Sequence, residues 1–140
     1  MKYLSQEWLD AVKKKGNTDE AYLKKAKGLT VKTRTVVTDC PDGIDLLMEW
    51  ELEDGKIVKL SREQKPAPSE WRQLTADPKY ISTVVGYYEA FVKLNKKEIT
   101  PMQALSTKIY KVHGDLAKIM AKMGQFNAIA ELQTTVPCEY

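Results

Sequence analysis

Hydrophobic positions change period several times along the chain. Between residues 3 and 14, Leu4, Trp8 and Val12 recur every fourth residue, the spacing of one face of a helix. Gly16 closes that helix, and Asn17 with Glu20 three positions on reads as the cap of a second short helix running to Lys27, before Gly28. The period then drops to two. In LTVKTRTVVT (29–38), Val31, Thr33, Thr35 and Val37 alternate with Lys32 and Arg34. After the turn Cys40-Pro41-Asp42-Gly43, a second strand sets Ile44, Leu46, Met48, Trp50 and Leu52 on one side and Asp45, Glu49 and Glu51 on the other. Asp54-Gly55 is a tight-hairpin signal, and IVKL (57–60) returns as a third strand.

In the second half, SREQKPAP (61–68) reads as a polar connection and SEWRQLTA (69–76) as a fourth strand carrying Trp71. Asp77-Pro78 pairs an N-cap acid with proline at the first helical position. It predicts a helix to about Leu94, with Ile81, Val84, Val85, Tyr88, Phe91 and Val92 facing inward. Thr100-Pro101 repeats the signal for a brief helix over PMQALS (101–106), and TKIYKVH (107–113) is a fifth strand. Gly114-Asp115 turns into a last helix over 116–132, where Leu116, Ile119, Met120, Met123, Phe126 and Ala130 form a broad apolar stripe. Antiparallel strands with helices gathered on one face predict an α+β fold of two layers.

At 140 residues the chain is expected to form one domain over 1–140, and its composition, 43% hydrophobic and 29% charged, suits a packed core. No apolar run approaches the roughly 20 residues that span a bilayer. The first 15 residues read as an amphipathic helix and not a signal peptide, which makes a cytoplasmic location the default expectation. A net charge of +3 is too small for a nucleic-acid footprint. Weak membrane-surface contact through Lys13-Lys14-Lys15, Lys24-Lys25-Lys27 or Lys96-Lys97 is compatible with it, although lysines near helix ends are ordinarily solvated.

Candidate chemistry is sparse. Cys40 and Cys138 form no CxxC pair, His113 is the one histidine, and no metal or cofactor is expected. A nucleophile–base arrangement therefore reduces to His113, which sits at a strand end. No GxGxxG, P-loop or HExxH occurs. The methionines are flexible and polarizable, suited either to plain core or to a cavity that adapts to its ligand.

Several segments resemble the sterol carrier protein 2 family in order and spacing. They are Leu94-Asn95-Lys96, Ile99 through Ala104, Lys108 through Val112, Gly114-Asp115-Leu116, and the hairpin DGIDLLMEWELEDGKIV with Trp50 and Asp54-Gly55. The agreement runs from about residue 20 to 132. Thr107 departs from it, standing where the family usually has glycine. The resemblance implies a five-stranded, mostly antiparallel sheet with helices on one face enclosing a hydrophobic tunnel. It also implies a non-catalytic carrier of a long-chain fatty acid, acyl-CoA or similar lipid. On that reading Val84, Val85, Tyr88, Phe91, Met102, Leu105, Leu116, Ile119, Met120, Met123 and Phe126 are expected to line the tunnel. Two further readings stand beside it: an accessory or homodimerisation module that buries the same apolar surface against a protein, and a small enzyme using His113 or a tyrosine.

Overall fold

The computed structural model describes residues 1–140. Its helices are α1 (Gln6–Gly16), α2 (Glu20–Ala26), α3 (Tyr88–Asn95), α4 (Pro101–Ser106), α5 (Leu116–Ala121) and α6 (Met123–Thr134). Its strands are β1 (Val31–Thr38), β2 (Ile44–Glu53), β3 (Lys56–Pro66), β4 (Ser82–Tyr87) and β5 (Tyr110–Gly114). They form one sheet in the order β3-β2-β1-β4-β5, antiparallel throughout except for the β1–β4 pair, which is parallel. The α+β class and the five-stranded, mostly antiparallel sheet are as expected.

Local chemistry explains the first half. Ser5 caps α1 by accepting from the Trp8 amide. Trp8, Leu9 and Val12 are wholly buried, and the Trp8 indole donates to the Val136 carbonyl at 3.2 Å. Asp19, not Asn17, caps α2. Asn17 instead pairs its side-chain amide with both backbone groups of Ile57, donating to the carbonyl at 2.9 Å and accepting from the amide at 2.8 Å. At the β2–β3 hairpin, Asp54 and Gly55 both have positive φ, 50° and 84°. The Tyr22 hydroxyl donates to the Gly55 carbonyl at 2.8 Å, docking α2 on that turn.

Three expectations for the second half are corrected. Residues 61–66 are not a connection, because β3 pairs with β2 as far as Ile44↔Pro66. Residues 69–76 form no strand; a 3-10 turn, Glu70–Gln73, carries Trp71. The helix expected over 78–94 is a strand followed by a short helix. Asp77 folds its own neighbours, its side chain accepting from the Lys79 amide and its carbonyl from the Tyr80 amide, both at 2.9 Å. The β-branched run Thr83-Val84-Val85 then pairs with β1 on one side and β5 on the other.

Residues 67–81 therefore cross the sheet face that the helices leave free. Trp71 packs there with Val36 and Leu47, joined by Leu74 and Val85. The helical face carries the main core, in which Leu46, Met48, Trp50 and Leu52 of β2 meet Trp8, Leu9, Val12, Tyr22, Ile129 and Leu132. The last helix is broken. Lys122 (φ −107°, ψ 13°) leaves helical geometry and separates α5 from α6.

Candidate functional site

The helices do not cover the sheet evenly. Over β2 and β3 the packing is solid, whereas over β1, β4 and β5 they leave a cavity of about 210 Å³. Alternation along the strands sets its floor. Thr33 and Thr35 of β1, Met48 and Trp50 of β2, Ser82 and Val84 of β4, and Tyr110 and Val112 of β5 all face it. Phe91, Leu94 and Asn95 of α3, Pro101 and Leu105 of α4, Ile119 of α5, and Met123, Phe126, Ile129, Ala130 and Gln133 of α6 form its walls and roof, with Tyr3 and Leu4 at one side.

Fifteen of the 21 lining residues are hydrophobic, and none is charged. The polar groups present are mostly engaged with protein. Thr33 Oγ1 and Ser82 Oγ lie 2.5 Å apart, and Thr33 Oγ1 also donates to the Ser82 carbonyl at 3.2 Å. The Tyr110 hydroxyl donates to the Pro101 carbonyl and the Tyr3 hydroxyl to the Phe91 carbonyl, each at 3.2 Å. Burial raises the pKa of both phenols, Tyr3 most strongly, so neither ionises near neutral pH. Asn95 donates to the Tyr140 hydroxyl at 2.6 Å. With most of its donors and acceptors engaged by protein, this surface favours apolar atoms over water.

The structure divides the eleven residues expected to line a tunnel. Val84, Phe91, Leu105, Ile119, Met123 and Phe126 face the cavity. Val85 lies on the opposite sheet face against Val36, Leu47 and Trp71, because neighbouring strand residues point oppositely and this segment is a strand. Tyr88 is buried in the main core, its ring centroid 6.1 Å from that of Tyr3. Met102, Leu116 and Met120 are 43%, 51% and 46% exposed. Lys122 ends α5 before α6 begins, and on that short helix Leu116 and Met120 lie on the exposed side. Their neighbour Ile119 takes the inward position.

Periodicity in the late helices could not reveal the floor. Thr33, Thr35 and Ser82 are polar by composition, and Met48 and Trp50 read as ordinary core. The β1 alternation did place Thr33 and Thr35 on one face with Val31 and Val37, the one available signal. His113 alternates with the cavity-facing Val112 and so projects to the other side of β5, opposite Thr83.

No protein-family model and no curated protein matches the sequence. Solved structures do match in fold. A crystal structure of sterol carrier protein 2 superposes with a TM-score of 0.74 at 14% identity, covering 95% of this chain and 98% of that one. The solution structure of a conserved hypothetical protein from Thermus thermophilus, described as possibly a sterol carrier protein, gives 0.76 at 14% identity, covering 99% and 92%. The solution structure of palmitated SCP2L2 from Aedes aegypti gives 0.54 at 15% identity, covering 89% and 95%. Strand order, helix placement and these superpositions together give the chain the fold of sterol carrier protein 2.

Proposed function

We propose that this protein is a non-catalytic carrier that takes the apolar part of a long-chain fatty acid, acyl-CoA or similar lipid into the cavity between β1-β4-β5 and the late helices. One observation carries the reading: the cavity has no charged lining residue in a chain that is 29% charged. An ionised head would lose its hydration inside, so the chain enters and the head stays at the mouth. One neighbour in fold, SCP2L2 from Aedes aegypti, has its solution structure in the palmitated form.

Burying one methylene contributes about 0.8 kcal/mol, so a sixteen-carbon chain contributes roughly 12 kcal/mol before association and ordering costs. Those costs bring the affinity into a range compatible with release. At about 210 Å³ the cavity is smaller than the roughly 300–1,000 Å³ usual for ligand pockets, so a long chain enters by displacing lining side chains. Met123 and Phe126 at the start of α6 are placed for this, and methionine adapts readily.

The test is a titration of delipidated protein with an environment-sensitive fluorescent fatty acid. Saturable one-to-one binding, displaced by unlabelled acyl chains, is expected. A folded protein that gives no saturable signal contradicts the proposal and turns the search to a protein partner.

A further inference from the structure

We infer that the ligand is held by an ionised carboxylate, received at the Tyr3 side of the cavity by the Lys96 ammonium and the Tyr140 hydroxyl. The inference deepens the carrier reading, rests on it, and selects a free fatty acid from the classes named there. Tyr3, Leu94, Asn95 and Gln133 line this side, and the last three are only half-buried, so solvent reaches the lining here. Tyr140 stands just outside. Its ring centroid lies 5.1 Å from that of Tyr3, and its hydroxyl oxygen lies 2.6 Å from the Asn95 side-chain nitrogen. Lys96 follows Asn95 at the end of α3, and its ammonium lies 4.9 Å from the Tyr140 ring centroid. A cation therefore stands one ring away from a lining that carries no charge of its own.

Both groups are free to take an oxygen anion. Asn95 donates to the Tyr140 oxygen and, at 3.8 Å, to the Cys138 Sγ. The Tyr140 oxygen thus already accepts, and its own hydrogen, with only the weak Cys138 acceptor beside it, is available to a ligand. Lys96 makes no ion pair, and Glu139, next to Tyr140, faces the N-terminal ammonium at 3.7 Å. The aromatic face beneath Lys96 attracts the ammonium without neutralising it. Three other lysines beside lining residues are engaged: Lys32 lies 4.0 Å from Glu51, Lys118 4.0 Å from Asp115, and Lys122 3.5 Å from the Gly28 carbonyl. A fourth, Lys111, alternates with Tyr110 and Val112 and projects to the far sheet face. Two donors match the two oxygens of a carboxylate. The polyphosphate head of an acyl-CoA would need more positive charge than one ammonium supplies.

Displacement of a pyrene-labelled fatty alcohol from delipidated protein tests the site, because this uncharged probe uses the cavity without the anchor. Laurate, dodecanol and lauroyl-CoA are the competitors. Lys96→Gln is expected to weaken laurate about three- to tenfold and Tyr140→Phe about threefold, each leaving dodecanol as in wild type. The loss at Lys96 is expected to shrink at high salt. Both variants should keep the fold: Lys96 is exposed, and phenylalanine keeps the ring against Tyr3. Lys118→Gln is expected to bind laurate like wild type. Three results overturn the inference: wild-type laurate affinity in Lys96→Gln, an equal loss for laurate and dodecanol, or a loss of lauroyl-CoA matching that of laurate. The two claims separate in the same titration. Saturable probe binding with laurate affinity indifferent to Lys96 overturns the anchor and leaves the carrier reading, whereas no probe binding by folded wild type overturns both.

Discussion

Arg72 closes a fork on Asp45: Nε donates to Oδ2 and Nη2 to Oδ1, each at 2.9 Å. Asp45 is wholly buried, although it stands on the strand side that carries Glu49 and Glu51. It also accepts from the Ser69 amide and hydroxyl and from the Asp39 amide, at 2.9, 2.8 and 3.2 Å. This network fastens the 3-10 turn to the sheet face opposite the cavity and makes the crossing to β4 an ordered one. Hydrogen bonding from Arg72, with the Ser69 and Asp39 contacts, holds the Asp45 carboxyl well below the usual carboxylate range against the opposing effect of burial.

Because the folded-state pKa is depressed, the stabilisation is complete above the unfolded value of about 3.9 and is lost as pH falls through the folded one. Urea unfolding at neutral pH and at successively lower pH should show wild-type stability falling below about pH 4. Asp45→Asn should be about 3 kcal/mol less stable at pH 7 and lose less on acidification. Parallel pH profiles for the two proteins would contradict this role.

Gly86 lets two rings meet over β4. A Cβ built there would lie 2.7 Å from the Tyr110 Cβ and 3.0 Å from the Phe91 Cε2. Phe91 and Tyr110 both line the cavity, with ring centroids 6.0 Å apart. Gly86→Ala should therefore destabilise the protein by about 1–3 kcal/mol in thermal or urea unfolding and alter fatty-acid affinity as Phe91 shifts. Wild-type stability in this variant would mean that the rings relax freely.

Lys97 occupies the left-handed position after α3, with φ 61°. Its amide bonds the Leu94 carbonyl at 3.1 Å, and the Glu98 amide bonds the Lys93 carbonyl at 2.9 Å, the paired pattern of a Schellman stop. Lys97→Gly should raise stability by about 1 kcal/mol by removing the left-handed strain. A lower melting temperature would show that the side chain contributes more than its strain costs.

The sequence was most legible where the deciding chemistry is local. Trp8 and Val12, the Asp54-Gly55 turn and the Thr100-Pro101 start all stand as read, the last with Thr100 and Gln103 capping each other. The Asp77-Pro78 pair misled because an aspartate before proline serves an isolated turn as well as a helix. The β-branched run Thr83-Val84-Val85 was the competing strand signal, and its pairing with β1 decided the outcome. Asp45 and Arg72 lie 27 residues apart, beyond any local pattern. At Lys122 neither glycine nor proline announced the helix break, so the stripe from Leu116 to Phe126 read as one face. Beyond that break Met123 and Phe126 face the cavity, whereas on α5 Ile119 faces it and Leu116 and Met120 face solvent.

Met120 and Met123 lie on either side of it, and together they test the central claim most directly. Met123 faces the cavity and Met120 is 46% exposed. The measurement is fluorescent fatty-acid titration of delipidated wild type, Met123→Trp and Met120→Trp, without vesicles. The account predicts saturable binding by wild type and by Met120→Trp, and loss of binding in a folded Met123→Trp as the indole fills the space. Binding by Met123→Trp equal to wild type would place the lipid elsewhere and contradict the assignment of this cavity.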